Sequence, residues 1–186
     1  MQAGVNRRAL LLLPLVIAGC DQMRLEPVAE LPPEILRGAG DPGRFAAENV
    51  AHAFLDRERE LWGKPGDAAF AAAMVENAST AFQDSGRFAD GPWVTRLLRE
   101  GRTALRAAIG LDLALPPQQM QDALLAAASA FRRGDPAAAS AALAPVVARG
   151  GHPAEALARI ETPQPLRRAL RETRDMLRRA LVSDGR

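Results

Sequence analysis

The residue types that could carry metal, nucleophilic or acid–base chemistry are thinly supplied in this chain: two histidines, one cysteine and a scatter of helical carboxylates. His52 and Asp56 stand four apart, a spacing that sets two side chains over one another on a helix. A catalytic zinc wants three protein ligands, and no HExxH-type set completes this pair, so neither a metal nor another cofactor is expected. His152, between Gly151 and Pro153, reads as a loop or helix-capping residue. No serine lies in a GxSxG context, and Cys20 is the only cysteine, so no serine or thiol hydrolase is visible. Glu48, Glu58, Glu60 and Glu76 could supply the paired carboxylates of a glycosidase acting on cell wall. Each is read here as part of a polar helical face rather than of a cleft, and no catalytic residue is assigned.

The C-terminal stretch is chemically distinctive. From Arg159 to Arg186 there are eight arginines and four acids. Arg167, Arg171, Arg174 and Arg178 form one helical stripe beside an apolar stripe of Leu166, Leu170, Leu177 and Leu181. Such a helix can lie on an anionic membrane or an acidic partner. It can equally dock by its leucines on its own domain, with the arginines toward water or toward acidic helices.

Cys20 gains meaning from what precedes it. Arg7-Arg8, an apolar run from Ala9 to Ala18, and Val16-Ile17-Ala18-Gly19-Cys20 make a basic start, a short hydrophobic core and a small-residue cleavage point. The run is about half the roughly 20 residues that a spanning helix needs. This resembles the signal peptide and lipobox of a bacterial lipoprotein, with Ile17 where Leu is usual. The resemblance covers the first 21 residues. It implies cleavage after Gly19, a thioether-linked diacylglyceryl group on Cys20 and acylation (palmitate or a similar chain) of the new amine. It also implies a domain held on the periplasmic or extracellular side of the cell membrane. Asp21 resembles the inner-membrane retention signal of enteric lipoproteins. Two or more acyl chains hold firmly, at about 0.8 kcal/mol per buried methylene.

Charge narrows the partners. Arg7 and Arg8 are the only charges before Cys20, so the chain from Cys20 carries 22 basic residues (24 less these two) against 22 acidic ones. A neutral domain argues against nucleic acid. The expected partners are the membrane, through the anchor, and another envelope protein. With Cys20 lipidated no disulfide is left to form, and stability must come from burial, for which the length suffices.

The elements that would position these residues are helices. Residues 20–43 read EP, LPP and RGAGDPG. This is a Pro/Gly-rich tether with an r.m.s. span on the order of 25 Å, holding at most a short helix at Pro33–Arg37. From residue 44 the apolar spacing predicts helices over about Arg44–Trp62, Asp67–Asp84 with Asp67 as cap, Pro92–Ile109, Pro117–Arg133, Pro136–Val147 with a kink at Pro145, Pro153–Ile160 and Leu166–Leu181. Gly101 falls on the apolar face of the third and marks a close helix crossing. No segment alternates with period two, and Tyr is absent.

The fold class is therefore all-α: one domain, 44–186, built as a bundle or short array of about six to seven helices. The matching starts at Gly66-Asp67 and Gly134-Asp135 are 68 residues apart, twice the tetratricopeptide period, and an ordinary bundle is preferred. The chain is read as a lipid-anchored, non-catalytic helical interaction module of the envelope. A helical small-molecule or lipid-binding lipoprotein, with a cavity among Phe70, Met74, Phe82, Met120 and Phe131, and an envelope enzyme are the alternatives.

Overall fold

The computed structural model describes residues 25–84, 88 and 90–184. Cys20, Gly19 and the rest of the expected signal lie outside the described residues. Seven α-helices follow one another: α1 (Pro42–Ala51), α2 (Pro65–Ala81), α3 (Gly91–Ala108), α4 (Pro117–Arg132), α5 (Pro136–Leu143), α6 (Pro153–Ala158) and α7 (Gln164–Asp184). Among the described residues there are no strands, only an isolated antiparallel bridge from Leu111 to Val147. The domain is all-α, as the sequence pattern predicts.

α2 is the axis of the molecule. It is rich in alanine on every side, and from Gly66 to Thr80 all but Asp67 and Phe70 are buried. A helix apolar all round belongs in the interior, and α1, α3, α4 and α6 all pack against it. Its small side chains let neighbours approach closely: a Cβ on Gly43 of α1 would stand 2.6 Å from Ala81 Cβ. α3 runs antiparallel to α2, with Gln83 beside Arg99, Ser79 beside Arg102 and Glu76 beside Arg106.

α7 packs along α3 in turn, and Gly101 sits at their crossing, as its place on the apolar face predicts. A Cβ there would stand 2.9 Å from the Leu166 Cα. Gly101→Ala gains up to about 1 kcal/mol of helix propensity. It forces the two backbones apart, at a cost of about 1–3 kcal/mol. A lower urea midpoint for this variant is the expected result, and an unchanged or higher one would show that the crossing gives way freely.

Element ends differ from the sequence pattern where local chemistry intervenes. The single helix expected over 44–62 divides into α1, a π-turn at His52–Asp56 and a 3₁₀ turn at Glu58–Leu61. Asp67 lies in the first turn of α2 rather than at its cap, which is Lys64, and bonds Arg132 of α4 instead. Asp135 does cap α5, accepting from the Ala138 amide. α5 stops at Leu143, two residues before Pro145, and a 3₁₀ turn carries the chain on. Pro33–Arg37 forms turns, not a helix.

The largest difference concerns the tether. Residues 25–31 are a strap bound across α2, α3 and α4. The Ala29 amide donates to Thr80 Oγ1 at 3.0 Å, and Asn77 Nδ2 donates to the Ala29 carbonyl. Gln83 donates to the Glu26 carbonyl, and Gln121 to that of Glu30. Ala29 and Leu31 are buried. Its place in a Pro/Gly-rich stretch gives the segment the look of a spacer, but its backbone polar groups find partners in the Asn, Thr and Gln side chains of the helices beneath.

Candidate functional site

Two places gather the polar chemistry. The first lies under the strap. Arg102 and Arg106 stand four apart on the buried side of α3, each exposed by less than a tenth. Arg106 grips Glu76 with both ends of its guanidinium, at 2.8 and 2.6 Å, and also donates to the Leu115 carbonyl. Arg102 grips Glu26 of the strap in the same two-pronged way, at 3.0 and 2.9 Å, and reaches Ser79. Arg99 adds a third contact to Glu26. Two carboxylates and three guanidiniums thus link the strap, α2 and α3, using the planar fork that suits arginine to this task.

The two carboxylates titrate in opposite senses. Burial pushes Glu76 above the usual carboxylate range, and the neighbouring guanidiniums only partly offset it. Burial also raises Glu26, but less, and the hydrogen bond and charge of Arg102, with Arg99 and Arg106, bring it below the usual range. A carboxylate depressed in the fold contributes stability that is present above its unfolded pKa and is lost as pH falls through the folded one. Glu26→Gln is therefore expected to lower the urea midpoint at neutral pH, with the gap to the unaltered protein closing below about pH 4. A gap independent of pH would remove the charge from this explanation.

The second place is a groove of about 370 Å³ between α1 with its π-turn and the C-terminal half of α7. It is lined by Arg44, Glu48, His52, Asp56, Arg174 and Arg178, with Leu177 and Leu181 at its apolar side. The π-turn sets its geometry by widening the helix where His52 and Asp56 project; such bulges recur at functional sites. Arg174 binds Asp56 at 2.7 and 3.1 Å, and His52 Nδ1 stands 3.8 Å from Asp56. The Arg174 hydrogen bond is the largest influence on the Asp56 carboxyl and holds it below its ordinary value.

The C-terminal arginine stripe is divided among these surroundings. Arg167 binds Glu58, whose other oxygen accepts from the Thr162 amide. Burial raises Glu58, but the Thr162 and Arg167 bonds outweigh it and its carboxyl is lowered. Arg174 holds Asp56, Arg178 holds Asp175, and Arg171 is exposed. The helix docks by Leu166, Leu170 and Leu177, while Leu181 is exposed.

The four glutamates do not converge. Glu48 pairs with Arg44, Glu60 with Arg57, Glu58 with Arg167 and Glu76 with Arg106. Glu76 corrects the expectation of a polar face: it is a buried charge in an apolar helix. His152 occupies the N-cap position of α6. Among the described residues, no group of three His, Cys, Asp or Glu side chains could hold a metal ion. Met74, Phe82 and Met120 are buried core residues, whereas Phe70 and Phe131 are partly exposed near the α2–α4 surface. Phe70 lies beneath the Arg132 guanidinium.

No family model, curated protein or solved structure matches the chain.

Sequence reasoning located His52, Asp56 and the α7 arginines but missed the strap cluster. A signal for part of it was present. Arg102 and Arg106 interrupt the stripe of Val94, Leu98, Leu105 and Ile109, and Glu76 is the only charge between Ala68 and Phe82. Buried charges come paired, so an acid inside one apolar helix and arginines inside another's apolar face point to each other.

Proposed function

We propose that the chain is a lipid-anchored protein of the bacterial envelope whose helical domain acts as a non-catalytic interaction module. The observation that carries this reading is the basic, apolar, lipobox-like run ending at Cys20. Several charged pairs tie one element to another, Glu76 with Arg106, Glu58 with Arg167 and Asp56 with Arg174, which is the arrangement of a rigid body that presents surfaces. No helix among the described residues is long and apolar enough to cross a membrane. Attachment in this reading comes from acyl chains on Cys20. The α1–α7 groove, with its arginines and its apolar edge, is the surface this module offers to an envelope partner, and Arg178 is its most exposed cation.

Labelled fatty acid should enter the protein in cells and leave it on Cys20→Ser, with the variant shifting out of the membrane fraction. Equal labelling and equal fractionation of the two proteins would refute the anchor.

A further inference from the structure

The exposed large apolar side chains are not spread evenly. Among the described residues they are Leu25, Val28, Trp62, Trp93, Leu113, Leu181 and Val182. The antiparallel packing assigns all but Leu113 to an end of the bundle. The α3 N-terminus meets the C-terminal end of α2, since a Cβ on Gly91 would stand 2.6 Å from the Phe82 carbonyl oxygen. Asp90, just before α3, binds Arg179 near the end of α7. The strap enters at the same end, with Glu26 held by Gln83, Arg99 and Arg102. Val28 lines the same cavity as Ala81 and Phe82. Leu25, Val28, Trp93, Leu181 and Val182 therefore share one end. Trp62 precedes α2 and so lies at the other end, about 25 Å away along a 17-residue helix; Leu113, whose carbonyl accepts from Arg106, lies between the two, beside Glu76.

The end that gathers five of the seven is also where the chain leads back to Cys20. Residues 21–24 are all that separate Cys20 from Leu25. Fully extended, five residue steps reach about 18 Å. The strap's bonds prevent the 24-residue tether implied by composition from paying out. The lipids on Cys20 would hold this end, and not the other, within reach of the headgroups.

Its side chains suit that position. Trp93 carries the Arg96 guanidinium over its ring at 4.5 Å, and tryptophan with arginine is favoured at the membrane–water boundary. Of the acids here, Glu26, Asp90 and Asp175 are each engaged by an arginine.

We infer that the end of the bundle formed by the strap entry, the α3 N-terminus and the α7 C-terminus rests on the leaflet that holds the acyl chains, with Trp93, Leu25 and Val182 at the headgroup boundary and Trp62 facing away. This rests on the lipid-anchored reading and adds an orientation to it.

Trp62 and Trp93 are the only tryptophans and are comparably exposed, 50% and 43%, so they report on the two ends. The full-length lipidated protein is reconstituted in phosphatidylethanolamine–phosphatidylglycerol vesicles with brominated acyl chains, as Trp62→Phe and Trp93→Phe variants. The emission of Trp93 should be quenched severalfold more than that of Trp62. Equal quenching, or stronger quenching of Trp62, overturns the orientation. Because Trp62 donates to the Ile160 carbonyl, Val182→Cys and Lys64→Cys, the latter at the exposed start of α2, give a second pair. With Cys20 blocked by lipid, each new thiol is unique for a spin label. The label at 182 should be the more protected from a water-soluble relaxant, and equal accessibility overturns the proposal. Fatty-acid labelling of the same preparations separates the two failures. Labelled protein without the asymmetry sinks the orientation alone, and unlabelled protein sinks the anchor and the orientation with it.

Discussion

Glu76→Ala should destabilise the domain by about 3–5 kcal/mol, the cost of leaving a buried partner charge uncompensated. Arg106 is almost wholly buried and spends two donors on Glu76, while Arg102 stands 3.9 Å from the same carboxylate. Alanine leaves that positive charge without its acceptor in the centre of the molecule. The measurement is urea unfolding of the lipid-free domain followed by circular dichroism. The double variant Glu76→Leu/Arg106→Leu should recover most of the loss, because an apolar pair of similar volume avoids desolvating two charges. The Leu115 carbonyl would then lack its Arg106 donor, so full recovery is not expected. A single variant costing under about 1 kcal/mol would show that water reaches the pair and that it behaves as a surface bridge.

Ala29→Asp should release the strap without unfolding the helices. Ala29 is 1% exposed, and its backbone amide and carbonyl are both bonded to α2. A carboxylate there would be buried unpaired, which no docked strap can tolerate. The loss is limited by what the strap's docking contributes, about 2–4 kcal/mol, because undocking lets the charge return to water. Limited proteolysis should cut the variant between residues 25 and 40 much faster than the parent, while helical circular dichroism is retained. In reconstituted vesicles the released strap lengthens the spacer and relaxes the difference in quenching between Trp93 and Trp62. Unchanged proteolysis would mean that the strap accommodates the charge and is not held as described.

The fold was legible because it rests on patterns that sequence carries well. The apolar stripes of α3, α4 and α7 and the stops at Gly63, Gly134 and Pro163 predict the helices nearly to their ends. The failures have specific causes. The division of the first helix at His52–Asp56 depends on a tertiary contact, the Phe54 carbonyl accepting from Thr162 Oγ1 across more than a hundred residues. Asp67 was drawn from the cap position by an arginine on another helix. The strap was illegible because nothing in Glu26-Pro27-Val28-Ala29-Glu30 differs from a spacer. What fixes it is the set of amides and hydroxyls waiting on α2 and α4. Gly101 shows the opposite case: a glycine on an apolar stripe has a local cost that only a close approach explains, and the approach is there.

The most direct test of the account is intact mass spectrometry of the protein recovered from the membrane fraction, with fragmentation of its N-terminal peptide. The account predicts a chain starting at Cys20 and carrying a diacylglyceryl thioether, with a further acyl group on the amine. A chain that begins at Met1, or a processed chain with a free Cys20 thiol in the soluble fraction, would contradict it.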